Sequence, residues 1–349
     1  MRKLIGTFLS VLLVVALLAG CGSNAPKTTP SSQAPTGSAK PEPVKIRVAY
    51  HAGLSGSIIP GIDKLNQAFE KEGLEVEWVK FTSGPPEVAA MVSGDIQFGY
   101  IGHGAHTLAA ENKINVIALN HLGNSEKIYT HKDSGLTSIS DLKGKVVATQ
   151  LGTSGEVVLN LALEKAGMTK DDVKIMNMDM AGAVTAFIAK KVDAVAAFDL
   201  HAINIVDKVG IDNLNLLAST SDFLDKTAFP ASWTVTPKYI EKNKDVVVRF
   251  VRALYSCYDY RDAHYDDAIK SAAEFQETTY EDFAKSKNSV TNFNTDELKS
   301  MLDDGSLLKI YQLQLDYFKA NKKVESGDAN NYVRTDLMKE AFEGYKKAE

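Results

Sequence analysis

The stretch "EVAAMVSGDIQFGYIGHGAH" at residues 87–106 decides how the chain folds, because its pattern comes back. With two residues inserted before the aspartate, it echoes "AVTAFIAKKVDAVAAFDLHA" at 183–202. Each copy reads as a helix, a turn, an Asp, a short apolar strand ending in an aromatic residue, and a polar loop opening a helix. Tyr100-Ile101-Gly102-His103 then stands against Phe198-Asp199-Leu200-His201. Two readings stay open here. Any two helix–turn–strand units look alike, or the chain builds two lobes of like topology. In the second case each lobe presents a loop at the carboxyl end of an equivalent strand, where open α/β sheets bind ligands. Two such lobes face one another across a cleft.

Outward from the echo, residues 45–235 alternate short β-rich runs with helical segments. "KIRVAY" (45–50), "EVEWVKF" (75–81), "IQFGYIG" (96–102), "INVIALN" (114–120) and "KVVATQ" (145–150) read as strands, and "VKIMNMD", "AVAAFD", "LNLLAST" and "ASWTVTP" continue the series. Between them, "IIPGIDKLNQAFEKEG" puts Ile58, Ile62, Leu65 and Phe69 on one helical stripe. "GEVVLNLALEKAG" carries Val158, Leu161 and Ala162 against Lys165 on another face, and stops at Gly167. Such alternation predicts an α/β fold with largely parallel sheets. Beyond 240 the pattern is helical throughout, and helices added after an α/β core cover a lobe. About 300 folded residues exceed what one hydrophobic core serves, so two lobes are expected.

Four strand-end loops then collect the chemistry: "HAGLSGS" (51–57), "GHGAHT" (102–107), "LGTSGE" (151–156) and "DLHA" (199–202). They hold histidines, glycines, hydroxyls and one Asp, and no Lys or Arg. Thr153 and Glu156 have the S/T-x-x-E spacing of a capping box, which leaves other first-turn amides free. Gly155 allows close approach to that backbone, and Ser55, Gly56 and Ser57 mark a second helix start. Helix N-termini meeting at a cleft bind an anion without a cationic side chain. The absence of Arg disfavours a phosphate dianion and suits a singly charged or zwitterionic ligand. Asp199 either accepts from a ligand amine or caps the helix that follows.

His103 and His106, three apart, with His51 and His201 from other loops, raise zinc as an alternative, but the pair alone is a weak metal signal. Neutral imidazoles, with His103, Gly104 and His106 in one loop, are expected to contact the ligand directly, so no metal and no cofactor is assigned. No G-x-S-x-G elbow and no Walker loop occur, and no nucleophile has an evident base partner, so the chain is not read as an enzyme.

The N-terminus supplies an address. Arg2 and Lys3 precede "LIGTFLSVLLVVALLAG", and Cys21 follows two small residues. This is the layout of a cleaved signal (1–20) with lipidation at Cys21. The Ser-, Pro- and Thr-rich residues 21–43 read as a flexible tether spanning roughly 25 Å. The expected localisation is the extracytoplasmic face of the cell membrane, held by lipid only. A net charge of −5, with no basic run, argues against nucleic acid. Cys257 has no second cysteine to pair with outside the lipid site and reads as a small buried residue.

"VKIRVAYHAGLSGS", "VEWVKFTSGPPEVAAMVSGDIQFGYIG", "SISDLKGKVVATQLGTSGEVVLNLALEKAGMTKDDV" and "VDAVAAFDLHA" together resemble the ABC-transporter solute-binding proteins of the nitrate, sulfonate and taurine type, with thiamine-precursor binders as relatives. The likeness covers residues 45–240. It implies a type II periplasmic-binding fold, two α/β lobes joined by two hinge crossings, that closes over a ligand. It also implies delivery to an ABC permease and its ATPase, and a monomer that captures a small organic anion or zwitterion, an aliphatic sulfonate or taurine first. Nitrate, a thiamine pyrimidine precursor, a metal ion, or service as a tethered sensor or enzyme are the alternatives. Family contacts carried over fall on His51 to Ser57, His103 to His106, Thr153, Ser154 and Gly155, and Phe198-Asp199-Leu200. The chain departs from the family where Phe198 and Leu200 replace the usual Trp and Pro, where His51 replaces a common Gln, and in "GHGAH". Crossings are expected near 127–135 and 231–239. Lobe 1 is then 44–128 plus 238–349, and lobe 2 is 132–233.

Overall fold

The computed structural model describes residues 43–347. The expected signal segment, Cys21 and nearly all of the tether lie outside the described residues. Among the described residues, eleven strands are arranged in two sheets. The first contains β1 (Val44–His51), β2 (Leu74–Phe81), β3 (Phe98–Ile101), β4 (Asn115–Gly123), β10 (Pro230–Val235) and β11 (Val290–Asn292). The second contains β5 (Lys127–His131), β6 (Val146–Thr149), β7 (Lys174–Asn177), β8 (Ala194–Ala197) and β9 (Leu214–Ser219). Their orders are β11-β4-β10-β3-β1-β2 and β7-β6-β8-β5-β9.

The two orders are the same design. β1 pairs in parallel with β2 and β3, as β6 does with β7 and β8. The next place in each sheet is taken by an antiparallel strand that the chain enters just after crossing over, β10 in the first and β5 in the second. The sequence echo therefore maps onto equivalent units. One is helix α3 (Gly84–Ser93) with β3; the other is α6 (Met180–Ile188) with β8. The same local bond recurs in each. Gln97 accepts from the Arg47 amide of β1, and Asp193 accepts from the Val146 amide of β6, both at 2.8 Å.

The chain passes between sheets at residues 124–126 and 220–229, somewhat earlier than the sequence pattern suggests. Residues 127–131, read as linker, form β5, and 230–235 form β10 of the first sheet. Both segments are apolar enough to be buried, and inter-sheet linkers are not. The strands also do not end at 240, since β11 adds an edge beside β4.

The remaining helices are α1 (Leu54–Asn66), α2 (Ala68–Lys71), α4 (His106–Ala110), α5 (Ser154–Lys165), α7 (Asp199–Val209), α8 (Pro237–Ala263), α9 (Tyr265–Phe275), α10 (Tyr280–Ala284), α11 (Thr295–Asp303), α12 (Ser306–Ala320) and α13 (Thr335–Gly344). The stripe of residues 58–69 breaks at Gln67, whose φ is 53°, so Ile58, Ile62 and Phe69 are buried and Leu65 is exposed. The tail packs on the first sheet, where Phe250 of α8 stacks on Phe98 at 3.9 Å and Trp233 is fully buried. Cys257 is free and buried, and burial pushes its thiol up.

Candidate functional site

The carboxyl ends of the six parallel strands point to one place. Loops after β1, β2, β3, β6, β7 and β8 line a cavity of about 320 Å³ between the two sheets, closed at the back by both crossings. Of the residues singled out in the sequence, His51, Ser55, His103, Gly104, Thr153, Ser154, Asp199 and His201 line it. Gly56, Ser57, His106 and Gly155 lie behind the wall. Ser57 donates back to the His51 carbonyl. A Cβ at Gly56 would lie 2.5 Å from that same oxygen, and one at Gly155 would lie 2.8 Å from the Ala196 carbonyl, so both are packing glycines. His106 turns inward, with Nδ1 on the Gly102 carbonyl at 3.0 Å and Nε2 on Ser232 Oγ at 2.8 Å. Burial lowers its pKa to about 4 and keeps it neutral.

At "GTSGE" the capping box does not close. Thr153 Oγ1 donates to the Gln150 carbonyl, and Glu156 Oε2 accepts from the Gly152 amide while Oε1 pairs with Lys323. The amides of Ser154 and Gly155, at the first turn of α5, find no acceptor among the described residues. Their dipoles favour an anion at this corner.

The opposite chemistry surrounds Asp199. It is the first residue of α7 and has a φ of 48°, a left-handed conformation that costs a non-glycine residue free energy. Oδ1 is sealed from water and has no hydrogen-bond partner among the described residues. Desolvation, reinforced by the Glu126 charge, raises its pKa to about 7, partly opposed by His51 and the Leu200 amide. The neutral form, not the anion, is thus the stable one in the empty cleft at mildly acid pH. Two acidic residues that sequence reasoning missed act here, Glu126 in the cavity wall and Glu87 behind it. Glu126 lies in the first crossing; its Oε2 accepts from the Ser125 amide at 3.2 Å and from the Thr220 hydroxyl of the second crossing. Glu87 is fully buried on α3 and holds His51 Nε2 at 2.6 Å. Nothing in spacing marks Glu126, because the crossing has no helical or strand period. A Glu directly after the Pro-Pro of α3 reads as an ordinary first-turn acid.

Aromatic rings complete the wall. Tyr100 meets His51 edge-on at 5.2 Å, Phe198 meets His201 at 5.7 Å, and Phe229 packs on His103 at 4.6 Å. Gln314 Nε2 lies 2.9 Å from His103 Nδ1 and 3.3 Å from the His103 carbonyl. Because a carbonyl only accepts, that Gln314 atom is the amide nitrogen, and His103 Nδ1 accepts from it. Burial keeps His103 neutral with its proton on Nε2. The Ala228 carbonyl is near this ring without reaching hydrogen-bond geometry. Among the described residues no three His, Cys, Asp or Glu side chains converge as a metal-binding group.

The lobes meet across the cleft. Gln150 Nε2 donates to Ser83 Oγ at 2.8 Å, and Lys285 Nζ pairs with Asp207 Oδ2 at 2.7 Å. A Cβ at Gly104 would sit 2.5 Å from the Thr153 carbonyl carbon, and one at Gly53 would sit 2.5 Å from Asp199 Oδ2. This is a closed arrangement that glycine alone permits.

Two sheets of one design, hinged twice and closing on a strand-end cavity, define the periplasmic-binding-protein class of fold. The chain belongs to the NMT1/THI5-like family, whose model matches residues 68–268. It is 32% identical to a candidate binding protein of Brucella abortus over 84% of this chain and 92% of that one. A taurine-binding periplasmic protein of Escherichia coli is 26% identical over 60% of this chain and 64% of its own. Among solved structures, the periplasmic aliphatic sulphonate binding protein SsuA from Escherichia coli superposes with a TM-score of 0.61 at 21% identity, covering 88% of this chain and 94% of that one. The named relatives are binding proteins.

Proposed function

We propose that the chain is the extracytoplasmic solute-binding subunit of an ABC importer and that it captures a small amine-bearing organic acid, taurine first. The observation that carries this reading is Asp199, a strained carboxyl in the wall of the cleft, one oxygen of which has no hydrogen-bond partner among the described residues. A ligand ammonium supplies the charge partner that the protein withholds, and the free amides of α5 supply donors for the sulfonate. Simple alkanesulfonates bring an anion toward Glu126 and Asp199 and offer nothing in return. Nitrate does the same. Relatives named for sulfonates and taurine support the class of ligand. Delivery to a permease, anchoring by lipid at Cys21 outside the described residues, and a monomeric state belong to the same proposal, with hinge closure as the mechanism and no turnover.

A second reading follows from the aromatic rings beside the carboxyls. An aminated heteroaromatic, such as a thiamine pyrimidine precursor, stacks on Phe198 or Phe229 and donates to Asp199.

Calorimetry on residues 44–349 compares taurine, ethanesulfonate, nitrate, an aminopyrimidine and Zn²⁺. Taurine binding at least about tenfold tighter than ethanesulfonate, roughly 1.4 kcal/mol, is expected. Equal affinity for the two removes Asp199 as the amine partner. Binding of the aminopyrimidine alone moves the ligand to the second reading.

A further inference from the structure

His51 lines the cavity at the end of β1, and it is not alone. Its Nε2 is held by Glu87 Oε2 at 2.6 Å, while Nδ1 has no partner among the described residues and is not among the polar atoms sealed from solvent. Since His51 lines the cavity, Nδ1 is the nitrogen it presents there. Glu87 is entirely buried. Its carboxyl fits only because residue 99 is glycine: a Cβ there would lie 2.3 Å from Oε1. The pair is a built feature of the wall, made from the ends of β1 and α3 against β3.

We infer that His51 and Glu87 form one proton-sharing unit, in which uptake of a single proton turns Nδ1 from an acceptor into a donor facing the ligand. The argument is a count of protons. With one proton between them, the hydrogen sits on Nε2 beside an ionised Glu87, and Nδ1 is a bare lone pair. With two, either the imidazolium faces the carboxylate or a neutral carboxylic acid donates to Nε2. In both arrangements Nδ1 carries a hydrogen. The outcome at the cavity does not depend on where the shared proton rests. The second proton comes from bulk solvent, and no electrons move.

Aromatic and charged groups face the unit. Tyr100 from β3 lies edge-on to the ring, Asp199 from α7 acts on it by charge, and Glu126 from the first crossing adds to the same negative field. Lys80 at the end of β2 also lines the cavity, and Arg261 acts by charge on His121, another lining residue. In a closed cleft with Glu126 and Asp199 nearby, a neutral pair costs less than a net anion. Burial likewise holds the Glu87 carboxyl above its usual range. Glu87 is thus a positioning residue, and His51 the group that touches the ligand. The site accepts an anionic group only with a proton, so anion affinity falls as pH rises. The inference rests on the proposed function only for its probe.

The first test needs no ligand. Long-range ¹H–¹⁵N spectra of the histidine rings of residues 44–349 are followed from about pH 5 to about pH 9, with His51→Gln assigning the signal. The hydrogen on Nδ1 is expected to depend on pH, and that dependence to move in Glu87→Gln. An Nδ1 that never changes state, or changes identically in Glu87→Gln, overturns the unit. Removal of buried Glu87 can unfold the chain, so the second test uses His51→Gln. Taurine affinity of the wild type should fall about tenfold per pH unit above the Nδ1 transition, and His51→Gln should flatten that limb while still binding. An unaltered limb overturns the inference. Failure of taurine to bind the wild type at any pH overturns the taurine reading, and the spectra still decide the unit.

Discussion

Asp199→Asn is the most informative single change. Asn is nearly isosteric and tolerates the left-handed φ of 48° as Asp does, so the backbone of α7 and its Asp199 amide bond to Ser125 Oγ stay as they are. Only ionisation is removed. The folded carboxyl titrates at about 7, while in the unfolded chain it titrates at about 3.9. Between those values the folded chain holds a proton that the unfolded chain has released, so stability falls as pH rises across that window. About three units correspond to a ceiling of roughly 4 kcal/mol. Opening of the empty cleft hydrates the carboxyl and lowers this to about 1–3 kcal/mol, or roughly 2–6 °C in melting midpoint. Ligand-free Asp199→Asn should therefore melt higher than wild type near pH 8 and equal to it near pH 4. The same variant should bind taurine about 10–100-fold more weakly near pH 8, and wild-type affinity should drop about tenfold per unit as pH falls below 7. A gain in stability with a loss of binding marks a group kept for the ligand. A variant that is less stable near pH 8, or that binds taurine as well as wild type, refutes the assignment.

Gly104→Ala pushes a methyl against the backbone of Gly152 and Thr153, which cannot swing aside as a side chain can. It should weaken ligand binding by about 1–3 kcal/mol, leave the ligand-free melting midpoint unchanged, and shift small-angle scattering toward the open form. Normal affinity refutes the closed arrangement. Thr220→Val removes the hydroxyl that ties Glu126 to the second crossing, so binding should weaken by about 1–2 kcal/mol at little cost to the fold, as read by calorimetry; an unchanged affinity separates the crossing from the ligand. Arg261→Met strips donors from Asn120 Oδ1, the Asn120 carbonyl and the Phe293 carbonyl, and should cost about 2–4 kcal/mol in urea denaturation; full stability would show those groups are satisfied otherwise.

Periodicity alone made most of the fold legible, because strand and helix patterns are local properties of burial. Nine strands stood out as β-rich runs, and the repeated unit at 87–106 and 183–202 maps onto the same place in both sheets. β5 was not legible, since "KIYTH" between two polar stretches looks like a linker until a second sheet covers it. At the site, the strand-end loops were found by their position, and His51, Ser55, His103, Gly104, Thr153, Ser154, Asp199 and His201 do line one cavity. His106 could not be told from His103 by sequence. Three residues along a helix start turn one ring to the cleft and the other to Ser232 and Tyr311 in the core.

What the sequence by itself determined is the class of fold, the location of the loops and their lack of Arg, all set by local pattern and composition. Only the tertiary structure decided the charge of the site. Glu126 comes to the cavity wall from a crossing, and Glu87 acts from behind the wall, where α3 packs it against His51. Burial then raises the Asp199 carboxyl, and field and desolvation depend on distances through space that no spacing along the chain encodes.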